Sequence, residues 1–189
     1  MQGKQGCLVA LAAGLALATG IGLTSPTTVS AGRARTTAAR RLEAARVLRA
    51  IDEKRRETWN WQRLMGRGRT PHTDSERRIT SLAYRHWVLA LWTKRARRVR
   101  RLAFHPPHLR GWLCIQRHEA DWSDPNPPYY GGLQMDISFQ RAYGHDLLRR
   151  KGTADNWTPL EQMWVAERAH RAGRGFYPWP NTARYCGLI

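Results

Sequence analysis

Apolar positions recur with helical period through most of the chain. In residues 36–65, TTAARRLEAARVLRAIDEKRRETWNWQRLM, the positions Leu42, Ala45, Leu48, Ile51 and Arg55 follow one face of a helix. Thr36 or Thr37 is the expected cap. Two glycines and a proline in GRGRTPHTD, residues 66–74, break that pattern. The stretch 74–102 then predicts a second helix with Asp74 or Ser75 as its cap. Its expected apolar stripe is Ile79, Leu82, Ala83, His86, Leu89 and Trp92. Two helices joined by a short turn predict an antiparallel hairpin. Pro106 and Pro107 mark the end of the second helix and the start of a new segment.

From Leu109 onward the pattern changes. Residues 109–119 predict a helix with Trp112, Ile115 and Glu119 on one face. DWSDPNPPYYGG is too rich in turn residues for a long helix, and ISFQRAYG and DLLRR read as two short helical pieces. TPLEQMWVAERAHRAG is the clearest helix. Thr158 stands at its N-cap, Pro159 in its first turn, Glu161 at the capping-box position and Gly173 at its C-terminal stop. The tail RGFYPWPNTARYCGLI is irregular and needs an anchor, for which Cys186 is the obvious residue.

The N-terminus reads as a Sec-type signal peptide, residues 1–31. Lys4 precedes the apolar run LVALAAGLALATGIGL, and VSA supplies small residues for cleavage after Ala31. Those 16 apolar residues fall short of the about 20 needed to span a bilayer, so no stable membrane span is expected after cleavage. Cys7 would leave with the signal. The remaining pair, Cys114 and Cys186, is what an exported domain oxidises, and closing that loop would stabilise the fold by roughly 4 kcal/mol.

Charge changes the picture further. Residues 32–110 hold 22 Lys and Arg against 6 Asp and Glu, whereas residues 111–189 hold 9 against 8. The basic character therefore belongs to the helical hairpin. Such a charge ordinarily points to nucleic acid. Export argues against that partner and leaves the anionic polymers of a cell wall. The expected organisation is a signal peptide (1–31), a basic helical hairpin region (32–105) and a C-terminal domain (106–189).

Glu119 is the candidate for chemistry. A carboxylic acid on an apolar helix face is partly removed from water, which favours its protonated form and suits a general acid. Trp122 and Tyr130 offer rings for the apolar faces of sugars. Gly131 and Gly132 bring the backbone close, and Gln134 supplies a donor and an acceptor. The pattern suits a sugar polymer in a groove. A second carboxylate, if one is used, would come from Asp121, Asp124 or Asp136. Asp136 is the best placed and counts among the substrate-binding residues. No metal or cofactor is expected. His118-Glu119 lacks the second histidine of a zinc-protease motif, and Asp121, Asp124 and Asn126 lack calcium spacing.

LCIQRHEADWSDPNPPYYGGLQM, then EQMWVAERAHRAGRGFYPWP and a late cysteine, resembles the resuscitation-promoting-factor and transglycosylase-like domains of the lysozyme superfamily. The match covers about residues 109–187. The resemblance implies a mainly α, lysozyme-like α+β domain with a small β-hairpin, here preceded by the basic helical hairpin. It implies a secreted or wall-associated enzyme that cleaves the MurNAc–GlcNAc β-1,4 bond of peptidoglycan. By position, Glu119 is the catalytic acid, Trp122, Tyr130, Gly132 and Gln134 line the groove, and Cys114 and Cys186 match the disulfide pair. The chain departs from the family in two ways: Cys114 lies five residues before Glu119, and HEAD stands where small residues follow the acid. A lytic transglycosylase needs only one carboxyl group. A two-carboxylate hydrolase and a non-catalytic wall-binding or signalling module are the alternatives.

Overall fold

The structure, a computed structural model, describes residues 26–72 and 75–189. The expected signal peptide therefore lies largely outside the described residues, as does Asp74. Helix α1 covers Pro26–Leu64, α2 Ser75–Arg78, α3 Leu82–Ala103 and α4 Leu109–Glu119. A two-stranded sheet, β1 (Tyr129–Tyr130) and β2 (Met135–Asp136), leads to α5 (Ile137–Lys151), α6 (Pro159–Ala169) and α7 (Pro180–Tyr185). The described residues are mainly helical, as the sequence pattern predicts, with one small antiparallel hairpin among them, as the resemblance implies. It divides into two compact units, one ending at Arg41 and one spanning Leu42–Ile189. Among the described residues no helix is long and apolar enough to cross a membrane.

In the first unit, residues 32–41 are exposed. Thr36 and Thr37 are not caps. They lie inside α1, and each hydroxyl donates to the carbonyl of Arg33, one turn back, at 2.8 and 2.9 Å.

In the second unit, α1 buries Val47, Ile51, Arg55, Thr58 and Gln62, and Met65 is buried just past its end. Ile51 and Arg55 were expected on this face, but Leu42 is exposed. The expected second helix is broken. Ser81 caps a separate α3, its side chain accepting from Tyr84 N at 3.5 Å. The buried side of α3 is Val88, Trp92 and Ala96, and Ile79 lies exposed before it. The break has a physical reason in Glu76 of α2, which lies buried between the long helices. It accepts from the Arg55 guanidinium and, at 3.0 Å, from Trp92 Nε1. A buried carboxylate needs such partners, and a continuous α2–α3 helix has no corner on which to deliver it.

The C-terminus of α1 ends on groups far along the chain. Arg168 donates to the carbonyls of Arg63 and Leu64 at 3.0 and 2.9 Å, and Arg171 to Met65 O at 2.6 Å. These helix-end carbonyls have no partner within the helix, so the arginines satisfy them. Trp164 Nε1 donates to Ala103 O at 2.7 Å, and Met65, Ala103 and Trp164 share a buried cluster.

The principal core gathers Trp112, Ile115, Leu133, Met135, Leu147, Trp157, Val165, Phe176 and Trp179. Helix α6 starts as the sequence predicts, with a complete Thr158–Glu161 capping box and Pro159 in its first turn. It leaves through a π turn, His170–Arg174, in which Gly173 has φ +88°. The two short pieces expected over 137–150 join as α5, kinked at Gly144. The ring of Trp157 packs on Gly144, and a Cβ there would lie 2.5 Å from it. Asp136 caps α5 by accepting from Phe139 N at 2.7 Å.

Candidate active site

Helix α4 has the bounds its sequence predicts, and it delivers Glu119 as its last residue. Its start is held by Glu167, a fully buried acid on α6. Glu167 Oε1 accepts from His108 N and from Trp112 Nε1, both at 2.8 Å. A negative group at a helix N-terminus is favourable, because the first amides of the helix point their N–H groups at it. His108 Nδ1 lies 3.2 Å from the same carboxylate. His170 stacks on His108 with ring centroids 4.0 Å apart. Burial lowers the pKa of His170, and the neighbouring His108 lowers it further, against the opposing pull of Glu167.

The far end of α4 is tied to the tail. Cys114 and Cys186 form a disulfide with Cα atoms 6.1 Å apart. Thr182, on α7, donates its hydroxyl proton to Glu119 Oε1. Trp179 lies buried beneath, its indole donating to Leu133 O at 2.6 Å and its ring edge-on to Trp112 at 5.3 Å.

These contacts shape a cleft of ≈ 330 Å³ lined by Glu119, Tyr129, Gln134, Pro178, Trp179, Pro180, Asn181 and Thr182. Among the described residues that line it, Glu119 is the only carboxylate. Gln134 closes the β1–β2 turn in a left-handed conformation, φ +46°, which is costly for a residue with a Cβ and recurs at functional sites. Its amide holds that shape by donating to Asp124 Oδ2 at 2.8 Å and to Gly131 O at 3.0 Å.

Of the residues singled out in the sequence, Glu119 and Gln134 meet in this cleft. Trp122, Tyr130, Gly132 and Asp136 are not among its lining residues. Trp122 and Tyr130 are partly buried against the core. Gly132 makes room for Trp122 and Gln116, whose atoms would lie 2.8 Å from a Cβ. The Trp122 carbonyl accepts from Gln162 Nε2 at 2.7 Å. Asp136 is engaged as the α5 cap.

Sequence reasoning passed over Tyr129, the 178–182 segment and Glu167. For the segment a signal existed. Glu119 lies five residues after Cys114, and Thr182 four before Cys186. A bond between the cysteines brings Thr182 close to Glu119 only because α7 runs along α4 in the opposite direction.

Cys114, His118 and Cys186 place one potential metal-ligand atom each within 4.8 Å of one another. A cysteine binds metal as its thiolate, and both sulfurs are committed to the disulfide.

Chemically, the cleft offers one carboxyl group that can give and take a proton, a hydroxyl bonded to it, aromatic rings and side-chain amides. No protein-family model, curated protein sequence or solved structure matches the chain.

Proposed function

We propose that the chain is an exported, glycan-cleaving enzyme with a lysozyme-like fold, acting on peptidoglycan as a lytic transglycosylase. The observation that carries this reading is Glu119, the single carboxyl group among the described residues lining an aromatic-walled cleft. Tyr129 offers an exposed ring to the CH faces of sugars, while Asn181 offers its amide and Gln134 its amide oxygen to their hydroxyl and acetamido groups.

Protonated Glu119 gives its proton to the glycosidic oxygen. The C1–O bond breaks and its electron pair stays with the departing sugar. The Glu119 carboxylate then takes the proton from the C6 hydroxyl of the sugar left behind, and O6 bonds to C1. A 1,6-anhydro ring results, the acid is regenerated, and neither water nor a second carboxylate is consumed.

The mature chain is read as wall-associated. The exposed side of α3 supports this, because Lys94, Arg97, Arg98 and Arg101 line one concave surface with Ala90 and Thr93. Anionic wall polymers are the proposed partner of these cations, with an attraction that weakens as salt rises. Replacing the four by Ser should release the protein from whole walls at low salt while leaving cleavage of soluble fragments intact. Unchanged wall binding would remove the tether from the reading.

The decisive experiment digests purified peptidoglycan and weighs the soluble fragments. Anhydro ends, one water lighter than hydrolysed ends, are expected. Glu119→Gln should slow release by about 10²–10⁴-fold, the usual contribution of a general acid. Reducing ends, with Asp136→Asn as damaging as Glu119→Gln, would make the enzyme a two-carboxylate hydrolase. A wild type as inert as Glu119→Gln would leave a wall-binding module.

A further inference from the structure

Glu119 ends α4, and Thr182 lies in α7, 63 residues further on. Yet α7 has only six residues, too few for a helix to persist by itself. Three attachments hold it. Its N-cap residue Trp179 is buried and bonded to Leu133 O at 2.6 Å, Ala183 is fully buried, and Cys186 just past its end is joined to Cys114 of α4. Thr182 and Cys186 are four residues apart, so they share the face of α7 that meets α4. Cys186 N also donates to Thr182 O at 2.9 Å. Three links thus join α4 to α7: a covalent one through Cys114–Cys186, the Thr182 hydroxyl on Glu119 Oε1, and the edge-on contact of the His118 and Tyr185 rings at 4.3 Å.

We propose that Thr182 is a positioning residue that fixes the Glu119 carboxyl group for proton transfer, and that the disulfide is what keeps Thr182 in place. The proposal rests on the reading of Glu119 as the general acid. The physical reason lies in the hydrogen-bond chemistry of the two groups. A carboxyl oxygen that does not carry the proton accepts hydrogen bonds in both the acid and the carboxylate form. With Thr182 donating to Oε1, the transferable proton is assigned to Oε2. The Thr182 bond then persists while Oε2 gives up its proton and regains one, so the side chain need not reorient between the two halves of the cycle. Preorganisation of this kind lowers the barrier of the chemical step and leaves substrate binding alone.

The test uses the full chain with its disulfide intact. Thr182→Val removes the hydroxyl at nearly constant shape, and Thr182→Ser keeps it. On soluble peptidoglycan fragments, Thr182→Val should lower kcat by roughly 10- to 100-fold, the worth of a hydrogen bond to a charged group. KM should stay within about twofold, and Thr182→Ser should recover most of the rate. In parallel, the carbon-13 signal of the Glu119 carboxyl group at fixed pH should move in Thr182→Val and return in Thr182→Ser. An unmoved signal, or equal losses in kcat for Val and Ser, would overturn the proposal. If the wild type cleaves nothing, the enzymatic reading fails by itself. The carbon signal then decides whether Thr182 positions Glu119, because it needs no turnover.

Discussion

Trp112 Nε1 donates to the carboxylate of Glu167 at 2.8 Å across the centre of the principal core, both residues being fully buried. This bond couples α6 to α4, the helix that carries Glu119. The same oxygen also accepts from His108 N, so one acid orients the ring and the helix start together. Glu167→Ala should strand the buried Trp112 indole and remove the partner of the His108 amide. A loss of roughly 2–4 kcal/mol in unfolding free energy is expected, read from urea denaturation of the oxidised protein. A loss under 1 kcal/mol would show that water replaces the carboxylate.

Arg55 tests a second buried acid. It is a buried cation in the basic hairpin, joined to Glu76 and bonded to Asp52 at 3.1 Å. Removing one member of a buried pair costs about 3–5 kcal/mol, whereas exposed substitutions stay within about 0.5 kcal/mol. Arg55→Leu should therefore lower the thermal midpoint sharply, and Arg97→Ser should barely move it. Equal effects would mean that the Arg55–Glu76 pair contributes nothing.

Gly144 decides between local and tertiary preference. Within a helix, Gly→Ala ordinarily stabilises by about 1 kcal/mol. Here the added Cβ would lie 2.5 Å from the buried Trp157 ring, an overpacking that costs roughly 1–3 kcal/mol. Calorimetry of Gly144→Ala should show a lower midpoint. A higher one would mean that Trp157 moves aside freely.

His170 gives stability an acid limb. Burial, aided by His108, lowers its pKa from the ordinary value of 6.5. The unfolded chain therefore takes up a proton that the folded chain resists. The stability linked to this group is fully present above pH 6.5 and is lost as pH falls from there through the lower folded value. His108 and Glu167 share the cluster, so His170→Phe should flatten this limb in part. Unfolding midpoints at pH 7.5 and 5.5 measure it, and an equal drop in variant and wild type would remove His170 from the account.

Elements whose signals are local were legible along the chain. Helix α4 lies between the proline pair and the turn-rich run that follows Glu119, and both its ends came out as expected. Helix α6 carries its own cap and first-turn proline, while its α-helical part ends at Ala169, four residues before the expected stop at Gly173. The face of α3 was legible only in part: Trp92 is buried and Leu82 and Leu89 pack against its cluster as expected, but Ile79, Ala83 and His86 are exposed and Val88 and Ala96 are buried instead. The choice fell to Trp92, whose indole reaches Glu76 on another helix.

By itself the sequence determined the bounds of α4 and the start of α6, that basic charge gathers before residue 110, and that Glu119 shares a helical face with Trp112 and Ile115. Each follows from the stereochemistry of a few neighbouring residues. The tertiary structure alone decided what surrounds Glu119. The cleft draws Tyr129 and Gln134 from one side and the 178–182 segment from the other. It leaves Trp122 and Gly132 to pack on each other. Those assignments depend on contacts between segments tens of residues apart. A contact of that kind forms only where its burial and hydrogen bonds outweigh the entropy of ordering the chain between, a balance that no short window of sequence contains.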